Sequence, residues 1–141
     1  MERVTLTSGG TSVVFHSIER PGGDAYSAGR FLVEAETEGL QVTRSVFMLD
    51  MGWDALIAFF DDLAASWRGW EGEQVWASIE HDLRLAAVED DLGHVRLSLT
   101  ISNGPIPSWT VQVLDVIVEA GEEFSALARA VSAWVGISPS A

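Results

Sequence analysis

The sequence predicts an α+β fold: a single domain, mainly an antiparallel sheet of about seven to eight strands in two ββα-like halves, with two amphipathic helices packed on it. Three observations carry this. Val95, Leu97, Leu99 and Ile101 alternate with His94, Arg96, Ser98 and Thr100, the two-residue period of a strand with one face in the core. Trp53, Leu56, Ile57, Phe60, Ala64 and Trp67 fall on one helical stripe. The order strand, turn, strand, helix occurs twice, over residues 31–67 and 93–134, with Ser66-Trp67 closing the first and Ala133-Trp134 the second.

The elements come in order along the chain. Val4 and Leu6 alternate with Arg3, Thr5 and Thr7 ahead of a Ser8-Gly9-Gly10 turn. Residues from Ser12 to Glu19 are apolar on both parities, as in a strand covered on both faces. Pro21-Gly22-Gly23-Asp24 punctuates the chain. Phe31, Val33 and Ala35 alternate with Glu34 and Glu36, Glu38-Gly39 turns, and Leu40 to Leu49 returns as the second arm of a hairpin.

The first helix is expected to start at Asp50 as N-cap, with Asp54 near its positive end, and to stop at Gly69 as the C′ residue. Three strands come next. Val75, Ala77 and Ile79 form the apolar parity of the first and Leu83, Leu85 and Ala87 that of the second; the third is the alternating run above. The acidic turns Glu80-His81-Asp82 and Glu89-Asp90-Asp91-Leu92-Gly93 join them.

Asn103-Gly104-Pro105 ends that run, and Trp109 to Glu119 is a further strand. Its apolar phase shifts between Val113 and Leu114, which means either a bulge near Leu114 or cover on both faces. The last helix begins after Gly121, carries Glu122 and Glu123 in its first turn, and has Phe124, Leu127, Val131 and Trp134 as its stripe. The domain spans residues 1–141, with 137–141 a loose tail.

Composition narrows the function. The chain has 141 residues, 48% of them hydrophobic, which places it with folded rather than disordered proteins. Its 21 acidic and 8 basic residues, all eight arginine, give a net charge of −13. That field repels nucleic acid and anionic membranes and attracts basic partners, and the scattered arginines form no basic stripe. Without cysteine, disulfides, thiol catalysis and Cys-based metal sites are excluded. No signal-peptide pattern opens the chain and no apolar run reaches membrane-spanning length, so the expected location is the cytoplasm.

The chemistry is thin. His16, His81 and His94 lack metal-ligand spacing, and Glu89-Asp90-Asp91 lacks the ligand order of a calcium loop. Glu80, His81, Asp82 and His94 are the only sensible acid–base set, and hairpin turns account for them more simply. No nucleophile elbow, phosphate loop, dinucleotide fingerprint or zinc-protease motif occurs. The expectation is therefore no enzyme and no cofactor. Trp53, Trp67 and Trp134 lie on helix stripes and belong in the core, whereas Trp70 follows Gly69 and locks the turn there. Trp76 shares its parity with Gln74, Ser78 and Glu80, so it faces the wetter side, where it is either covered or offered to a partner. The candidate protein-contact residues are Trp70, Trp76, Glu80, Asp82, Asp90, Asp91 and His94.

Residues 67–101 carry a Gly-Glu turn (Gly72-Glu73), a strand ending Ser-x-Glu (Ser78, Glu80), Asp-Leu-x-Leu (Asp82 to Leu85), an acidic turn and Gly-His-Val (Gly93 to Val95) leading a strand. Over roughly residues 56–134 this pattern resembles an uncharacterised actinobacterial protein family related to WapI-like immunity proteins, which protect a cell from its own toxins. The Trp-rich stretch from Ser66 to Trp76 and Ala120-Gly121-Glu122-Glu123 lean toward the uncharacterised group. The resemblance implies a non-enzymatic immunity or antitoxin protein that neutralises a basic toxin domain. The alternative is a stand-alone module acting as a homo-oligomer, such as a homodimer, or binding a small ligand in a regulatory role.

Overall fold

The computed structural model describes residues 2–21 and 27–137, with backbone only at Ile137. The chain runs β1 (Arg3–Ser8), β2 (Thr11–Glu19), β3 (Gly29–Thr37), β4 (Leu40–Met48), α1 (Asp50–Ala65), β5 (Gln74–Ala77), β6 (Leu83–Glu89), β7 (His94–Ser102), β8 (Thr110–Glu119) and α2 (Glu122–Ile137). Of the expected Pro21–Asp24 turn only Pro21 is described. Helix α2 takes in Ile137, the first residue of the expected tail, and 138–141 lie outside the described residues.

The α+β expectation holds, with one refinement of its symmetry. The ladder is not one sheet but two antiparallel sheets of four strands, ordered β1-β2-β3-β4 and β5-β6-β7-β8. The repeating unit is therefore ββββα, twice, rather than ββα. Helices α1 and α2 pack on each other; α1 also touches β4 and β5, and α2 touches β1 and β8, so the helix pair bridges both sheets.

Inner faces and helices share one core. Phe31 stands at its centre, 5.7 Å from Phe15, 5.3 Å from Trp134 and 6.1 Å from Trp53 between ring centroids. Phe60 of α1 stacks on Phe124 of α2 at 6.1 Å, which ties the halves together through their helices. Trp53 and Trp134 are core residues as expected. Buried Arg20 lies over the Trp53 ring at 4.4 Å and donates to the Val135 carbonyl near the end of α2, where cations complement the helix dipole.

The alternation of β1, β3, β6 and β7 is borne out, since Val4, Leu6, Phe31, Val33, Leu83, Leu85, Val95, Leu97, Leu99 and Ile101 are all buried. The phase shift in β8 is a bulge: the register against β7 slips between Leu97 and Leu99, Asp115 takes φ 56°, and Leu114 points outward. Strand β2 is not covered on both faces. Val13 and Phe15 are buried, and a second bulge at Ser17 (φ 58°) shifts the parity of the residues beyond it.

The α1 stripe is corrected at both ends. Leu49 is the N-cap residue and Asp50 is already helical, its carboxylate accepting the Met51 N–H. The buried stripe is Trp53, Leu56, Phe60 and Leu63, and the helix stops at Ala65 with Ser66 as C-cap. Trp67 therefore falls past the end and is 56% exposed, with the Arg68 guanidinium 4.9 Å from its ring. Gly69, at φ 106°, makes the turn after the cap and donates to the Ser66 carbonyl.

Strand β5 reverses the expected parity. Trp76 is 8% exposed and Ser78 is buried, while Val75, Ala77 and Ile79 face out. Cross-strand neighbours share a face, and Trp76 pairs with Leu85, an inward residue of β6. Burying an indole of roughly 150–250 Å² outweighs burying a valine.

Candidate protein-binding groove

The inward turn of Trp76 builds the site. Its indole forms the floor of a groove between β5 and α1. At one end Met48, Leu49, Met51 and Gly52 face Ala77 and Ile79 across a recess of about 310 Å³. An adjoining recess of about 290 Å³ continues past Ala58, Phe59 and Asp62 to Gln74 and Val75, sharing Ala55 and Trp76 with the first. Met51 is 79% exposed and Ile79 57%, and Leu49 and Val75 are exposed as well. Four large apolar side chains around one groove form a contiguous patch, not the scattered exposure that any surface shows.

Of the carboxylates on α1, Asp62 lines this groove, and Asp50, Asp54 and Asp61 do not. Helix α1 carries Asp50, Asp54, Asp61 and Asp62 and no arginine, and Glu71, Glu73 and Glu80 flank β5, all of them exposed. Glu73 is paired with Arg84 at 2.9 Å; the other six have no ion-pair partner among the described residues.

The sequence-predicted contact residues divide between two places. Trp76 is the floor and exposed Glu80 stands at the Ile79 end. Asp82 is not a surface contact: it is buried, accepts the Ser78 hydroxyl at 2.5 Å, and lies 3.7 Å from Arg44 of β4. Its main-chain carbonyl accepts the Ser102 N–H, so the whole residue fastens the β5–β6 turn. Trp70 is half-buried against the core and donates its indole N–H to the Ala87 carbonyl at 3.3 Å, which secures the turn after α1.

Asp90, Asp91 and His94 sit at the β6–β7 turn, at the other end of β6 from Glu80 and Asp82. Asp90 is taken up internally. It accepts the Leu92 and His94 N–H groups at 2.8 and 3.0 Å, the His94 ring at 3.1 Å and Arg96 at 3.2 Å. Burial pushes its carboxyl pKa up, but the two main-chain donors and the His94 ring outweigh it and hold the group down at about 2. His94 lies between Asp90 and Glu119, and Asp91 remains exposed.

The acid–base set does not converge, because β6 separates Glu80, His81 and Asp82 from His94. Among the described residues no group of three or more His, Cys, Asp or Glu is arranged to hold a metal, and no helix is long and apolar enough to cross a membrane. A larger groove, about 440 Å³, lies between β1 and α2, lined by Arg3, Thr5 and Glu123 over core residues Val4, Leu6 and Val118. No large exposed apolar side chain lines it.

Sequence reasoning missed Leu49, Met51, Val75 and Ile79. A signal was present: Met51 lies off the α1 stripe, an unexplained apolar residue in a first turn. Val75 and Ile79 were hidden by the parity assigned to β5.

Two ββββα units joined through their helices, with an apolar groove between β5 and α1, define a small acidic α+β domain. The chain belongs to the family of unknown function DUF6228, whose model matches residues 5–138. No curated protein and no solved structure matches it.

Proposed function

We propose that this chain is a non-enzymatic, cytoplasmic protein-binding domain of the immunity or antitoxin type, which neutralises a basic toxin domain by covering its working surface. One observation carries the reading: the α1–β5 groove gathers exposed apolar anchors beside Asp62 in its wall and exposed Glu80 next to Ile79. Met51 and Ile79 supply desolvated contact, the part of an interface that holds most affinity. The carboxylates and the net charge of −13 speed encounter with a basic surface and compete for the cations a nuclease uses to bind phosphate. The resemblance of residues 56–134 to an uncharacterised family related to WapI-like immunity proteins points the same way.

The test is affinity capture from native lysate at low and high salt, with the wild-type chain and a Met51→Asp/Ile79→Asp variant as paired baits. A basic protein held at low salt, weakened by salt and lost with the variant supports the reading. A neutral or acidic partner, or one the variant holds equally well, overturns it. The groove of about 440 Å³ between β1 and α2 favours a second reading, a small-ligand or homo-oligomeric module. A thermal shift with a metabolite, or a mass that rises with concentration, would select it.

A further inference from the structure

We propose that the partner enters as an added β-strand: an extended basic segment pairs with the free edge of β5. This rests on the protein-binding reading of the groove and specifies how the groove is filled.

Main-chain direction decides which groups of β5 are free. Ser78 N–H donates to the Leu83 carbonyl at 2.9 Å, and Trp76 and Gln74 lie opposite Leu85 and Ala87. In an antiparallel ladder, residues two apart turn their N–H and C=O the same way. Gln74, Trp76 and Ser78 therefore address β6, and Val75 and Ala77 turn theirs outward. Among the described residues those outward groups have no hydrogen-bond partner.

Both repeats leave their first strand at a sheet edge, β1 in one and β5 in the other. In the repeat β1 corresponds to β5 and β8 to β4. Strand β8 lies alongside β1, but no comparable contact joins β4 to β5. A groove against a helix lies at each seam, and only at the first does a strand run beside the edge. Proteins guard open edges with lysine, proline, bulges or inward charge. Gln74–Ala77 itself has none of these, and it is four residues long.

Charge names the occupant. A second copy paired antiparallel edge to edge would bring Glu73 of one copy against Glu80 of the other, beside Asp62 of α1. A segment with arginine or lysine at alternate positions meets those carboxylates, and apolar residues between them reach Met51, Ile79 and the Trp76 floor. Main-chain pairing supplies register, and the alternate side chains supply selectivity.

The test uses synthetic peptides on the full chain. The probe is a capped octapeptide of alternating valine and arginine, with two analogues, one N-methylated at every valine and one at every arginine. Strand addition predicts that one analogue loses at least about tenfold in affinity while the other keeps it, because only one set of amides faces β5. Ala77→Pro removes an outward N–H and leaves the β6 ladder intact, so it should weaken the parent peptide about tenfold with little change in Tm. If Ala77→Pro does not fold, the two analogues decide alone. Equal binding of all three peptides, or no binding of the parent, overturns strand addition, while the paired-bait capture still judges the protein-binding reading separately. A dimer of the chain alone that Ala77→Pro dissociates names a second copy as occupant and also overturns it.

Discussion

Arg44 of β4 and Asp82 of the β5–β6 turn face each other from different sheets, with Nη2 3.7 Å from Oδ2. Among the described residues no other ion pair joins the first sheet to the second. The Asp82 side chain is 2% exposed, so this contact is little screened by water. It lies on the seam where β4 and β5 form no ladder, and Ser78 and Ser102 hold Asp82 in place there.

Asp82→Ala should therefore destabilise the fold by about 2–3 kcal/mol, because it removes the acceptor of a buried hydroxyl together with the charge facing Arg44. Arg44→Met should cost less, since Asp82 keeps its Ser78 partner. Urea denaturation of both variants and the double variant checks the link: the double effect should fall short of the sum, and additivity within about 0.3 kcal/mol would show that the two residues act independently.

Asp90 sets a pH dependence. Its pKa is lowered in the fold to about 2 from an ordinary value of 3.8. A depressed carboxylate contributes stability above its unfolded pKa and loses it as pH falls through the folded value. Asp90→Asn should lower Tm at pH 7, and the gap from wild type should close between about pH 4 and about pH 2. Melting curves across that window check it; a gap that is constant with pH would mean the carboxylate charge does not matter.

Gly29 is required by a close approach. A Cβ built there would collide with the Glu19 carbonyl oxygen and lie 3.2 Å from the Arg20 Cα, both main-chain atoms beside the β2 bulge. Main chain in a ladder cannot step aside as a flexible side chain can, so Gly29→Ala should cost about 3 kcal/mol. Thermal denaturation measures this. A cost under about 0.5 kcal/mol would show that the bulge yields.

The groove residues should behave in the opposite way. Met51 and Ile79 lie outside the core, so Met51→Asp/Ile79→Asp should leave the chain folded with Tm within a few degrees of wild type. Far-UV circular dichroism and a melting curve check it. A large drop in Tm would make these residues structural and remove the groove as a contact surface.

Much of this architecture was legible in the residues. The alternation of β7 and the stripe of α2 announced their buried faces, and the parity shift at Leu114 allowed two readings, of which the β8 bulge is the one found. The groove was less legible. Strand β5 is four residues long, and its apolar parity of Val75, Ala77 and Ile79 looked better than the one holding Trp76. Asp82 read as a solvated turn residue because its partner Arg44 comes from the other sheet. Trp67 extended a stripe that the helix stops short of.

The sequence by itself determined the element types, the two helices, the core tryptophans Trp53 and Trp134, and the acidic character, because period, propensity and charge are local or additive properties. Only the tertiary structure decided that the strands divide into two sheets, that Trp76 turns inward, that Asp82 is buried and that an apolar groove stays open along α1. Each of these depends on which distant segment fills the space beside a residue. At the β4–β5 seam no strand does, and that vacancy leaves Met51 and Ile79 on the surface.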